Sequence, residues 1–151
     1  CGNQANLNAL IEQKSGLKKN DFLDIELDTW IGRVNDIEQC ILPQSLIHYQ
    51  CRNNQLACLA LHHDDFINTV QRAKKQYGSH RVAVFMGTST SGILSTELAY
   101  RGLVYNQAAT HFKNPDTIYF REQHNSFSLA DFIQHYFHLT GPAQVISTAC
   151  S

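Results

Sequence analysis

The chain has 151 residues, of which 43% are hydrophobic and 17% charged, with a formal net charge of −1. That length and composition fit one soluble globular domain with a real core. The near-neutral charge gives no electrostatic basis for binding nucleic acid or an anionic membrane, and no apolar run approaches the length of a membrane span.

The N-terminus, Cys1-Gly2-Asn3-Gln4-Ala5, has no basic segment, apolar stretch or initiator Met, so no signal peptide is expected. Residues 6–14 place Leu7, Leu10 and Ile11 at helical spacing, with Gly16 as a stop. Residues 17–28 read as loop, 30–34 as a short strand, and 36–42 are ambiguous before Pro43. The pattern over 45–61 favours one helix, with Leu46, Tyr49, Leu56, Leu59 and Ala60 apolar. A second helix over 64–77 carries Phe66, Ile67, Val70 and Ala73 as its stripe, and Gly78 fits a C-cap.

Residues 82–86, Val-Ala-Val-Phe-Met, form a continuous apolar run, the pattern of a strand buried on both faces. A glycine-bounded turn, Gly87 to Gly92, and a helical pattern over 93–100 follow. Strand, turn and helix in this order belong to an α/β layer structure. Residues 105–117 are polar and loop-like, and 128–139 form an amphipathic helix through Leu129, Phe132, Ile133, Tyr136 and Phe137. Gly141-Pro142 then punctuates, and a strand over 144–149 runs into Cys150.

The five cysteines, Cys1, Cys40, Cys51, Cys58 and Cys150, are odd in number and contain no CxxC pair. A disulfide framework or zinc site is therefore not expected, and a reducing cytoplasm is the natural compartment. Cys51 and Cys58 fall on one face of the 45–61 helix, which suits core packing. The Gly87–Gly92 turn lacks the Gly-Lys-Ser/Thr and GxGxxG phosphate fingerprints, so a tight strand-to-helix turn is the reading taken. His62 and His63 are adjacent, pointing about 100° apart on a helix, and cannot easily share one ion. His135 and His138 share a helical face but have no carboxylate or cysteine at metal-ligand spacing, so no metal is expected. Cys150, at the end of a strand, would be an activated thiol if a helix began there, since a helix N-terminus lowers a thiol pKa. The alternative is an inert packed cysteine.

Taken together, three segments resemble the N-terminal half of a β-ketoacyl-acyl carrier protein synthase, a condensing enzyme of the thiolase-like fold. Gly141-Pro142, a strand, then Ser147-Thr148-Ala149-Cys150-Ser151 resembles the family's nucleophile motif. Arg81-Val-Ala-Val-Phe-Met-Gly-Thr-Ser-Thr-Ser-Gly92 resembles its earlier strand and turn, and 128–139 the helix between, at a separation from Cys150 that needs no gap. Arg52-Asn53-Asn54-Gln55-Leu56, with the Gly87 turn, resembles in particular the synthases of aryl polyene gene clusters.

The resemblance implies an α/β fold: the N-terminal half of a layered αβαβα arrangement with a mostly parallel sheet. Residues 1–151 would be a half-domain lacking the first strand and the C-terminal half, where the family's catalytic histidines, lysine and gating loop lie. None of the eight histidines here matches those catalytic positions, so the chain alone would be inactive. Cys150 would accept the acyl chain as a thioester, its backbone N–H serving in the oxyanion hole. Malonyl on an acyl carrier protein would then lose carbon dioxide and attack that thioester. The phosphopantetheine belongs to the carrier protein, so no cofactor or metal of the enzyme's own is implied.

Implied partners are the carrier protein, the C-terminal half of the same enzyme, and a second ketosynthase-like subunit in a homodimer or heterodimer. Lys18, Lys19, Lys74 and Lys75 are candidates by charge for the carrier surface. By gapless spacing, Phe120 matches a residue that reaches across the dimer into the partner's acyl pocket. Thr96 matches a pocket-wall position often filled by a bulkier aliphatic, leaving room for a long or rigid chain; for both positions, plain core packing is the alternative. Two other functions stay open: a non-catalytic subunit like a chain length factor, and a coenzyme A-dependent thiolase-fold enzyme. A half-fold would also expose apolar surface and be poorly soluble by itself.

Overall fold

A computed structural model of the protein describes residues 2–22, 26–105 and 119–147, with 102–105 described by backbone alone. Its elements in chain order are α1 (Asn3–Ile11), β1 (Leu17–Lys19), β2 (Trp30–Gly32), α2 (Arg52–Leu61), α3 (Phe66–Tyr77), β3 (Val84–Gly87), α4 (Ile93–Tyr105), α5 (Ser128–Tyr136) and β4 (Ala143–Ile146). Short 3-10 turns at Ile37–Gln39, Gln44–Tyr49 and Ser79–Arg81, and one π-helical turn at Phe120–His124, connect them.

The core is built on α5. Its spacing sets Leu129, Phe132 and Ile133 on one face, and all three are buried together with Ala130 and Phe137. Leu42, Leu46, Tyr49, Cys58, Leu61 and Val84 pack around them. The helix stops at Tyr136 rather than at 139, because His138 turns into the left-handed region (φ 51). The Nζ of Lys74 donates to the carbonyl of Phe137 at 2.7 Å, so a cation on α3 satisfies the C-terminal end of α5.

β3 and β4 pair in parallel, with Val84 opposite Ala143 and Gly87 opposite Ile146. Gly141 makes the approach possible: a Cβ there would lie 2.3 Å from the Val82 carbonyl oxygen. Pro142 then presents its carbonyl to the Val84 N–H at 2.8 Å. Met86, Ala143 and Val145 pack against the core with Val84. The opposite face is open, with Phe85 62% and Ile146 56% exposed. The expected burial of the 82–86 strand on both faces is therefore not met: α5 covers one face, and no described element covers the other.

Residues 45–61 do not form one helix. A 3-10 turn ends at Tyr49, the chain extends through Gln50 and Cys51 (φ −146, ψ 159), and α2 starts at Arg52. The break has a side-chain cause. Gln50 spends its amide on the neighbouring segment, donating to Cys40 O at 3.0 Å and accepting from Leu42 N–H at 2.9 Å. Cys51 and Cys58 are both buried, as their spacing suggested, but Cys51 sits at the N-cap of α2 rather than within it.

The 17–28 segment, read as loop, contains β1, which pairs antiparallel with β2. Three residues are too few to show a periodic signal. The other elements lie close to their expected places. α3 ends on Gly78 at φ 87, as expected of a C-cap, and α4 runs five residues past the expected 100 to Tyr105. Residues 106–117 of the expected loop lie outside the described residues. The arrangement is α/β, with one small parallel sheet and one antiparallel pair. Among the described residues no helix is long and apolar enough to cross a membrane.

Candidate active site

The C-terminal ends of β3 and β4 lie side by side, where the Thr88 N–H donates to Ile146 O at 3.2 Å. The Gly87–Gly92 turn leads from this edge into α4, which matches the tight strand-to-helix turn read from the sequence. Ser91 holds a positive φ of 46, and Gly92 meets the π-helical turn head on. A Cβ on Gly92 would lie 2.0 Å from Gln123 O and 3.2 Å from Cys51 Sγ, so only glycine lets these backbones meet.

The Phe120–His124 turn is held from several sides. Ser91 Oγ donates to His124 O at 2.9 Å, and Gln123 Nε2 donates to His48 O at 3.0 Å. Asn54 on α2 is fully buried, and the two hydrogens of its Nδ2 are shared among three acceptors, Tyr49 O at 3.0 Å, Glu122 O at 3.2 Å and Ser128 Oγ at 2.9 Å. The Ser128 hydroxyl itself donates to Glu122 O. Such a network fixes a π turn that has little intrinsic stability.

Of the three site residues read from the sequence, Cys150 lies outside the described residues. Thr96 and Phe120 are described, and both contact His124. Thr96 Oγ1 lies 2.6 Å from His124 Nδ1 and 3.3 Å from Gly92 O. The Phe120 ring lies parallel to the imidazole, 5° between planes and 6.1 Å between centroids, and is 65% exposed. Burial lowers the pKa of His124, so its ring is neutral near pH 7. The sequence reading missed His124. Its only trace was the four-residue step from Phe120, which means nothing until a helical turn is known to lie there.

A second polar cluster lies apart from this edge. Tyr49 donates its hydroxyl to Asp131 Oδ2 at 2.7 Å, and burial and that carboxylate push the phenol pKa up. His135 Nδ1 is 3.5 Å from Asp131 Oδ1. The sequence reading placed no carboxylate beside the His135–His138 pair; Asp131, one turn earlier on α5, corrects that. His138 lies beyond the helix end, so the two histidines do not share a helical face. His62 Nε2 is 3.2 Å from the Tyr136 hydroxyl. Burial raises the thiol pKa of Cys51 although the Asn53 and Asn54 backbone amides oppose it, and raises that of Cys58 to about 11 with Cys40 beside it. Both thiols are protonated and unreactive near neutral pH. Of the candidate carrier-surface lysines, Lys74 is committed to Phe137 and Lys19 pairs with Asp28 at 3.4 Å, while Lys18 and Lys75 are exposed.

No protein-family model matches the chain, and no curated protein matches it. Among solved structures, it is similar to a chain in the complex of the ketosynthase ApeO with its chain length factor ApeC from Xenorhabdus doucetiae, with a TM-score of 0.68 and 25% identity. This chain has a ketosynthase-like fold. The likeness covers 94% of this chain and 34% of the other, so the chain spans about a third of that protein.

Proposed function

We propose that the chain is the N-terminal part of a β-ketoacyl synthase, with Cys150 as its acyl-accepting nucleophile. The Cys150 thiolate attacks the carbonyl of an acyl thioester on a carrier protein, forming a new thioester and releasing the carrier thiol. Malonyl on a carrier protein then loses carbon dioxide, and the carbanion displaces Cys150, lengthening the chain by two carbons. The backbone N–H of Cys150 donates to the developing oxyanion. Groups outside these residues stabilise the decarboxylation step. Thr96 walls the space for the acyl chain, and Phe120 reaches across the dimer into the partner's.

The observation that carries this reading is the parallel β3–β4 pair. Gly141 and Pro142 feed β4 alongside β3 in fixed register, and the strand ends beside the Gly87 turn with Cys150 four residues beyond Ile146. The aryl polyene subtype rests on the resemblance of Arg52–Leu56, and on an ApeO–ApeC structure as neighbour. The partners proposed are an acyl carrier protein and a second ketosynthase-like subunit, in a cytoplasmic enzyme.

The test is acylation by a radiolabelled acyl thioester of the full-length polypeptide and its Cys150→Ala variant. Label on the parent and none on the variant is the expected result. A second reading, a non-catalytic subunit like a chain length factor, is equally compatible with the fold likeness, because the neighbouring structure contains both kinds of subunit. That reading gives no label on either protein.

A further inference from the structure

The sequence resemblance assigned Phe120 to the partner's acyl pocket across a dimer and Thr96 to a wall of the acyl pocket, but said nothing of the group between them. We infer that His124 is a specificity-determining residue of this pocket, selecting acyl chains whose far end carries a hydroxyl group over chains that end in methyl; this rests on the synthase reading above. Thr96 has one hydroxyl hydrogen and two acceptors within reach, His124 Nδ1 at 2.6 Å and Gly92 O at 3.3 Å. If the hydroxyl donates to Nδ1, the proton of the neutral ring is on Nε2, which is then a donor. If it donates to Gly92 O, Nδ1–H donates to the threonine oxygen and Nε2 is an acceptor.

In either tautomer Nε2 retains one hydrogen-bonding capacity, and no described residue uses it. The ring is half-buried and held in place: Ser91 fixes its backbone carbonyl, Thr96 its Nδ1, and Phe120 lies parallel to it. It therefore cannot turn to seek another partner without breaking the Thr96 bond. A methyl-ended chain seated against Thr96 would take Nε2 out of water and leave it unpaired. A hydroxyl-ended chain both donates and accepts, so it pairs with Nε2 in whichever tautomer is present. A site with a built-in polar partner discriminates against the analogue that lacks the matching group more strongly than an apolar wall does.

The test uses the full-length polypeptide and two pantetheine thioesters of equal length, octanoyl and ω-hydroxyoctanoyl, with transfer to Cys150 followed by mass spectrometry. The parent should prefer the hydroxyl-ended donor by about tenfold or more in kcat/KM, and His124→Leu should bring the ratio to about one. His124→Gln, which keeps a side-chain donor and acceptor, should retain a preference. The ratio is the readout, because damage to folding slows both donors alike. Equal use of the two donors by the parent, or an unchanged ratio in His124→Leu, would overturn the inference while leaving Cys150 as nucleophile. Failure of the parent to take either donor would instead overturn the synthase reading, and this inference with it.

Discussion

Thr96 Oγ1 and His124 Nδ1 meet at 2.6 Å, joining the first turn of α4 to a π-helical turn 28 residues away in sequence. Burial holds the His124 pKa below its ordinary value. In the unfolded chain this histidine gains its proton at higher pH than in the fold, so acid favours unfolding. Its neutral form contributes fully above the unfolded pKa, and that contribution is lost as pH falls from there towards the folded value. A histidine-resolved NMR titration of the full-length protein should show His124 titrating below the ordinary histidine range of about 6.5. A value at or above that range would contradict the buried, neutral ring.

Asn54→Ala should destabilise the protein by about 2 kcal/mol, read by thermal or denaturant unfolding. It removes the Asn54 Nδ2 group, whose two hydrogens serve Tyr49 O, Glu122 O and Ser128 Oγ, and leaves the Tyr49 carbonyl without its side-chain partner. The cost is moderated because Asn54 Oδ1 has no partner to lose. A change below about 0.5 kcal/mol, as for an ordinary surface position, would mean that Asn54 does not hold the π turn.

Gly92→Ala and Gly141→Ala should each cost about 1–3 kcal/mol, as overpacked sites do. In both, the added methyl meets a backbone carbonyl: Gln123 O at 2.0 Å and Val82 O at 2.3 Å. Gly92→Ala should also move the His124 resonances, since Ser91 and Thr96 would be pushed away from that turn. Gly141→Ala should instead weaken amide protection at Val84, whose N–H bonds to Pro142 O. Unchanged stability in both variants would contradict the close approaches.

The contrast between α3 and the 45–61 segment shows what was legible in the sequence. The Phe66, Ile67, Val70 and Ala73 stripe and the terminal Gly78 are local signals, and α3 runs over Phe66–Tyr77. The break at Gln50–Cys51 depends on amide contacts to Cys40 and Leu42, eight to ten residues back, which no periodicity records. The Val82–Met86 run was legible as strand, but its open Phe85 face was not, because apolar content does not say which layer covers it. Thr96 and Phe120 came from spacing within a family resemblance. His124 came only from the fold, since a π turn leaves no pattern of its own.

With Thr96 as a wall of the proposed acyl space, Thr96→Ile or Thr96→Phe in the full-length polypeptide should shorten the acyl products. Either side chain is larger than threonine and lacks the hydroxyl that meets His124, so it fills the space and breaks the 2.6 Å bond together. Product chain length by mass spectrometry is the check. Unchanged lengths would place Thr96 in ordinary packing.

The proposed role of Cys150 as an acyl-accepting thiol stands or falls on whether that residue becomes acylated. The most direct measurement is peptide mapping by mass spectrometry of the full-length polypeptide after incubation with an acyl thioester. The expected result is the acyl group as a thioester on Cys150, with none in the Cys150→Ala variant. Acylation of that variant equal to the parent's, or none on either protein, would contradict it.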